Sequence, residues 1–250
     1  MPRIPLIAGN WKMHTTVGEA TVLAKAIAAA ATGLVDRQVM LAPPFTALVA
    51  VAETIRGSNV ILGAQNICWA AEGAFTGEIS PVMLRDIGGT MAIVGHSERR
   101  HIFGETDGLI NKRVKGAISH GVVPILCIGE RLEERKADKT MNVLEGQLKG
   151  GLDGISLADS GQLVVAYEPV WAIGTGNTAS PIQAQEAHAF IRQVLTSLFE
   201  KSVASQIRIL YGGSVIPDTI GVLMDQDDID GALVGGAALQ PDSFSRIMHF

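Results

Sequence analysis

The chain has 250 residues, 47 % of them hydrophobic, enough to build the core of one large domain or two small ones. Twenty Lys and Arg against 25 Asp and Glu leave a net charge of −5, which offers no basic patch for nucleic acid and none for an anionic membrane. No apolar run approaches the roughly 20 residues that span a bilayer. The two cysteines, Cys68 and Cys127, form no CxxC or Cys/His cluster, so neither a metal site nor a structural disulfide is expected.

At the amino end, Met1-Pro2-Arg3-Ile4-Pro5 carries two prolines and one cation, followed by an apolar run too short for a signal-peptide core, which points to a cytoplasmic protein. Eight short apolar runs then read as strands, beginning near Leu6, Val39, Val60, Met91, Val122, Leu163, Ile207 and Gly231. Most are continuous in Val, Ile, Leu and Ala rather than alternating, as parallel strands covered on both faces are. After the first, Thr16-Val17-Gly18-Glu19 fits a capping box, and Leu23, Ala24, Ile27, Ala28 and Ala31 mark one face of a helix. The segment 66–80, opening Asn66-Ile67-Cys68-Trp69, is long for a connection and carries Trp69, Phe75 and Thr76 with only two charges. So apolar a loop either docks into another chain or folds back on its own barrel. Ser80-Pro81 and Ser180-Pro181-Ile182-Gln183 open later helices, the second with a capping box. Cys127 lies inside an apolar run and reads as a buried thiol. Strand onsets about 20 to 45 residues apart leave room for a helical crossover each time. Eight βα units without a linker predict a single (β/α)8 barrel domain over residues 1–250, in the α/β class. A doubly wound open sheet is the rival, but the first strand runs into Ala8-Gly9-Asn10-Trp11-Lys12 and lacks its Gly-x-Gly-x-x-Gly turn.

The working face of such a barrel is the carboxyl end of its strands. Strand one ends at Asn10 and Lys12, strand four at Gly95-His96-Ser97-Glu98-Arg99-Arg100, and strand six at Glu168. Strand seven ends at Tyr211-Gly212-Gly213-Ser214, strand eight at Leu233-Val234-Gly235-Gly236. Glu168 is a carboxylate at the tip of a buried strand, where desolvation raises proton affinity. The segment after it, Pro169-Val170-Trp171-Ala172-Ile173-Gly174-Thr175-Gly176, is apolar at its centre, stiff at Pro169 and loose at its glycines, the composition of a lid that excludes water from a general base. The glycine pairs either merely turn the chain or form a nest of backbone amides for a phosphate, and two pairs on adjacent strands, with Gly174 nearby, favour the nest. Lys12 reads as a cation for a phosphate or oxyanion, as a Schiff-base amine, or as structural. His96 is either a neutral donor at a helix start or a core histidine, and Asn10 either a donor beside Lys12 or a turn residue.

Taken together, Ala8-Gly9-Asn10-Trp11-Lys12-Met13, Val94-Gly95-His96-Ser97-Glu98-Arg99-Arg100, Ala166-Tyr167-Glu168-Pro169-Val170-Trp171-Ala172-Ile173-Gly174-Thr175-Gly176, Tyr211-Gly212-Gly213-Ser214-Val215 and Gly231-Ala232-Leu233-Val234-Gly235-Gly236 resemble the triosephosphate isomerase family from end to end, in its order and spacing. The resemblance implies cofactor-independent interconversion of dihydroxyacetone phosphate and D-glyceraldehyde 3-phosphate by proton transfer through an enediolate, with no metal. It implies Glu168 as base, His96 as electrophile, and Lys12 with Asn10 as substrate ligands. Gly174, Ser214, Gly235 and Gly236 match phosphate-binding positions. Pro169, Val170, Trp171, Ala172, Ile173, Thr175 and Gly176 match the lid, Leu233 pairs with Ile173 in shielding the base, and Tyr211 supports the closed lid. It also implies a homodimer in which the 66–80 loop enters the neighbour, with Thr76 at its tip. Two positions depart from the family pattern: Asn177 where many relatives have lysine, and Ile216 where asparagine is frequent. Neither touches a reacting group on this reading, so both bear on lid kinetics. Two other functions remain to be separated: an aldolase using Lys12 as Schiff-base nucleophile, and a non-catalytic sugar-phosphate binder, which would have no need of a base.

Overall fold

A computed structural model describes residues 3–173 and 179–250. Eight strands, β1 (Leu6–Asn10), β2 (Gln38–Ala42), β3 (Val60–Ala64), β4 (Met91–Val94), β5 (Val123–Ile128), β6 (Val164–Tyr167), β7 (Arg208–Tyr211) and β8 (Gly231–Val234), run parallel, and β8 pairs with β1 to close the barrel. The expected (β/α)8 architecture is what forms, with every strand onset within one residue of its place in the sequence reading. Helix starts form as their chemistry requires. The Thr16 hydroxyl accepts from the Glu19 amide while the Glu19 carboxylate accepts from the Thr16 amide. Ser180 and Gln183 repeat the exchange, and Ser80 caps Met83 ahead of Pro81. Each such cap contributes about 1 kcal/mol. On the helix Val17–Ala30, Leu23, Ala24 and Ile27 are buried, as is Ala31 just beyond it, and Ala28 is half-buried. Among the described residues no helix is long and apolar enough to cross a membrane.

Strand alternation divides the core into two shells. Leu6, Ala8, Met91, Ile93, Cys127, Val164, Ala166, Leu210 and Leu233 belong to the cluster that fills the barrel axis. Ile7, Val39, Val94, Val165 and Ile209 belong to the outer cluster, beneath the helices. Counting two onward along β1 and β6 brings Asn10 and Glu168 to the axial face at the carboxyl rim. The same count along β4, β5, β7 and β8 reaches Gly95, Gly129, Gly212 and Gly235. At Gly129 and Gly212 glycine is required by space. A Cβ on Gly129 would stand 1.7 Å from the Glu168 carbonyl oxygen, and one on Gly212 would stand 2.9 Å from Glu168 Cγ. The period of the strands thus raises one carboxylate and one amide into an opening that four glycines leave clear.

His188, on the helix Pro181–Leu198, is fully buried, and its Nδ1 donates to the Asp228 carbonyl at 3.2 Å. Burial pushes this imidazole down to about 4 from an ordinary 6.5. The unfolded chain therefore binds a proton that the fold refuses. The contribution is complete above pH 6.5 and is lost as pH falls towards 4, with a slope approaching 1.4 kcal/mol per pH unit. Urea midpoints of the wild type are expected to drop more steeply between pH 7 and pH 5 than those of His188→Asn; equal slopes would contradict this account.

Of the two readings of the 66–80 loop, folding back on its own barrel is what its neck does. Its neck is tied to the barrel: the Cys68 amide donates to the Ile79 carbonyl at 2.8 Å, and buried Arg113 holds the Glu78 carboxylate at 2.8 and 2.9 Å. Trp69 lies edge-on to Phe75 at 5.1 Å. The tip projects, with Phe75 and Thr76 exposed.

Candidate active site

Asn10 Oδ1 accepts from the Lys12 amide at 3.0 Å, closing a tight turn in which Lys12 takes φ +52°. A non-glycine residue in that conformation costs about 1 kcal/mol. Gln65 holds the turn from outside, donating to the carbonyls of Lys12 and Ala42 at 2.7 and 2.9 Å. The strained turn directs the Lys12 side chain across the mouth, where Nζ meets Glu98 Oε1 at 2.7 Å. At the end of β4, Gly95 turns the chain at φ +71°, and His96 becomes the cap of the short helix Ser97–His101. The Glu98 amide donates to His96 Nδ1 at 3.3 Å, so the ring hydrogen sits on Nε2, which faces Glu168 Oε1 at 3.0 Å. Glu168 is 2 % exposed and also accepts from the Ser97 amide at 2.9 Å and the Ser97 hydroxyl at 3.3 Å.

Burial acts hardest on Glu168 and alone would raise its proton affinity, as the sequence suggests. The charge and hydrogen bond of His96, the Ser97 amide and the charge of Lys12 outweigh it and hold the carboxyl below the ordinary carboxylate value. That corrects the direction expected from burial by itself. His96 is the converse: burial pulls the imidazole down, and the Glu168 carboxylate, helped by Glu98, lifts it above the ordinary histidine value.

Asn10, Lys12, His96 and Glu168 line a cavity of about 250 Å³. Gly212, Gly213, Ser214, Gly235 and Gly236 line it too, and a single helical turn, Gly236–Leu239, opens beside them. Short of a side chain on four of those five positions, the wall presents backbone to a ligand. Ile173 and Leu233 line the cavity as well. So does Ile216, which the sequence reading set apart from the reacting groups but which is placed on the cavity wall. Gly174, Thr175, Gly176 and Asn177 lie outside the described residues.

The segment directly after Glu168, read in sequence as the start of a lid, is anchored. Pro169 leads into the turn Val170–Ala172, whose Val170 amide donates to the Glu130 carbonyl at 3.1 Å. Trp171 Nε1 donates to Glu130 Oε1 at 2.8 Å and Tyr167 Oη to the same oxygen at 3.1 Å. Glu130 is fully buried, and burial pushes its carboxyl up despite those donors. Sequence reasoning missed Glu130, Ser97 and Gly129. The rule that found the other residues would have found Glu130 and Gly129, since Gly129-Glu130 follows β5 directly. Ser97 acts mainly through its backbone amide, which no side-chain pattern reports.

A buried carboxylate hydrogen-bonded to an imidazole, beside an ammonium and a backbone-lined wall at the carboxyl rim, defines a barrel enzyme with an acid–base site for a small anionic substrate. The family model described as Triosephosphate isomerase matches residues 5–250. The triosephosphate isomerase of Syntrophotalea carbinolica is 53 % identical over 248 residues, covering 99 % of this chain and 98 % of that one. That of Citrifermentans bemidjiense is 53 % identical over 99 % of each chain, and that of Chloroflexus aurantiacus 52 % over 99 % of each. The chain belongs to the triosephosphate isomerase family.

Proposed function

We propose that this cavity interconverts dihydroxyacetone phosphate and D-glyceraldehyde 3-phosphate, with Glu168 as base, His96 and Lys12 as the groups that stabilise the oxyanion, and Asn10 as a further substrate ligand. One observation carries the reading: Glu168, His96 and Lys12, far apart in the chain, line one cavity together with Gly212, Gly213, Gly235 and Gly236. The substrate phosphate sits against Ser214, Gly235 and Gly236, a role shared with Gly174 in the family pattern. Its carbonyl oxygen lies between His96 Nε2 and Lys12 Nζ. Glu168 leaves Ser97, takes a proton from the carbon beside the carbonyl and returns it to the neighbouring carbon, while the proton of the substrate hydroxyl passes to the former carbonyl oxygen. The electron pair stays on the substrate as an enediolate, so no external oxidant or reductant is needed. Donors fixed in advance around that oxyanion lower the barrier by several kcal/mol.

An enediolate beside a phosphate ester readily expels phosphate in water, which gives a water-excluding lid its purpose. Pro169, Val170, Trp171, Ala172, Ile173, Gly174, Thr175 and Gly176 form that lid, with Ile173 and Leu233 shielding the base and Tyr211 beneath. Against the aldolase reading, Lys12 Nζ is engaged by the Glu98 carboxylate at 2.7 Å, the pairing of a binding cation rather than of a free amine nucleophile. Incubation with dihydroxyacetone phosphate in deuterium oxide is expected to give product deuterated at carbon, and borohydride to trap no adduct at Lys12. Trapped Lys12, or product without deuterium, would sink the assignment.

The acting assembly is a homodimer of cytoplasmic chains. Support comes from the exposed tip at Phe75 and Thr76 and from a second cavity, of about 290 Å³, lined by Met13, Phe45, Gln65, Glu98 and Phe103 among others. Met13 and Phe103 are 94 % and 69 % exposed in the single chain, an apolar rim suited to a partner loop. Cys68 and Cys127 are buried free thiols, in keeping with a reducing compartment. Sedimentation is expected to show a dimer at micromolar concentration and a monomer for Phe103→Glu. A monomeric wild type would remove the role given to the loop.

A further inference from the structure

Glu168 is gripped from two directions, by segments that belong to two different strands. Its carboxylate accepts from the amide and hydroxyl of Ser97, the first residue of the short helix Ser97–His101. Its backbone is held by the end of β5: the Glu168 amide donates to the Ile128 carbonyl at 2.7 Å, and Gly129 lies so close to the Glu168 carbonyl oxygen that no Cβ fits between them. Arg100 fastens the helix to that segment, donating from Nε and one Nη to the Cys127 carbonyl at 3.3 and 3.0 Å. His101, the last residue of the helix, fastens it again farther along the chain. Its Nδ1 accepts from Arg131 Nε at 3.0 Å, and an Nη of the same guanidinium lies against it. Arg131 directly follows Gly129-Glu130, and its amide is fixed by Glu134 Oε2 at 2.7 Å. A guanidinium cannot accept, so the ring hydrogen of His101 is on Nε2, which is buried without a partner among the described residues. The ring thus commits its one acceptor to Arg131 and leaves its donor unsatisfied. Burial and the charges of Arg131 and Arg100 hold the imidazole below the ordinary histidine value, against the pull of Glu134 and Glu168, which keeps that acceptor free of a proton at neutral pH.

We infer that His101 is a positioning residue for the proton transfer: by accepting from Arg131, it ties the helix that holds the Glu168 carboxylate to the segment that holds the Glu168 backbone. The inference rests on the reading of Glu168 as the base. His101 touches neither substrate nor Glu168, so its effect passes through Ser97 on one side and Gly129 on the other. Loss of the tie lets the two grips shift against each other, and the carboxylate loses its aim at the substrate carbon. Binding is spared, because Ser214, Gly235 and Gly236 of the cavity wall are untouched. The signature is therefore a fall in kcat at nearly constant KM.

His101→Leu removes the acceptor and is expected to lower kcat about tenfold, less than the roughly 10²-fold that a misplacement of about 1 Å can cost, with KM within about twofold of the wild type. His101→Gln restores an uncharged acceptor for Arg131 and is expected to keep kcat within about twofold. Arg131→Met breaks the same contact from its exposed end and should match His101→Leu. The double variant His101→Leu with Arg131→Met should then be no slower than either single one, since residues that act through one contact are not additive. Rates are read at neutral pH, well below each variant's melting temperature. A role in stability alone predicts lower melting temperatures with an unchanged kcat. A folded His101→Leu chain with wild-type kcat overturns the inference, as does a His101→Gln variant as slow as His101→Leu, or a double variant slowed about 10²-fold by two independent losses. Should His101→Leu not fold, Arg131→Met carries the same expectation and the same refutation. A wild type that isomerises nothing overturns the assignment of Glu168 instead, a result distinct from an active wild type beside equally active variants.

Discussion

Replacing Glu168 by Gln is expected to lower turnover by about three orders of magnitude, within the roughly 10²–10⁴-fold that a positioned general base contributes. The amide is nearly isosteric, and its oxygen can still accept from the Ser97 amide that now holds Oε2 at 2.9 Å. The pocket should therefore keep its shape and lose only the group that accepts the proton. Binding of a phosphate ligand is expected to change little, because the substitution leaves Ser214, Gly235 and Gly236 of the cavity wall untouched. Solvent deuterium should enter the product more slowly by the same factor as turnover. Near-normal turnover in this variant would mean that another group removes the proton.

Lys12→Met is expected to lower kcat/KM by about 10²–10³-fold, the size of the loss when one fixed donor to an oxyanion is removed. Two effects act in the same direction. On the proposed reading the cation that serves substrate disappears, and Glu98, paired with it at 2.7 Å, is left as an uncompensated carboxylate beside a site for an anion. Adding Glu98→Gln to Lys12→Met should therefore recover part of the loss, read as kcat/KM of the double variant against the single. A double variant no better than the single would leave Glu98 without influence on the substrate, and a single variant with wild-type kcat/KM would remove Lys12 from the reaction.

Much of this arrangement is legible in the chain because parallel strands are buried on both faces. Their continuous apolar runs give onset and order, and the residue just past each run is by construction at the rim. Asn10, His96, Glu168 and the pairs Gly212-Gly213 and Gly235-Gly236 follow from that rule, and the pairs Thr16 with Glu19 and Ser180 with Gln183 from local capping chemistry. What escaped depends on neighbours distant in sequence. Glu168 lies in an apolar setting that would raise its proton affinity, yet His96, Ser97 and Lys12 reverse the direction. Glu130 stood at a strand end like the others, but its meaning appears only when Tyr167 and Trp171 converge on one of its oxygens. Gly129 reads as an ordinary turn until a Cβ there is found to collide with the Glu168 backbone. Ile216, seen in sequence as a remote departure, lies on the cavity wall.

Asn10, Lys12 and His96 line not only the substrate cavity but also the neighbouring hollow rimmed by Met13, Phe45 and Phe103. In the proposed dimer, one thin partition of side chains would separate two chambers, one for the substrate and one filled by the partner's loop. Filling the outer chamber would stiffen the partition from behind. By mass action, catalytic competence would then follow protein concentration: diluted far enough, the preparation would lose specific activity before it lost its fold.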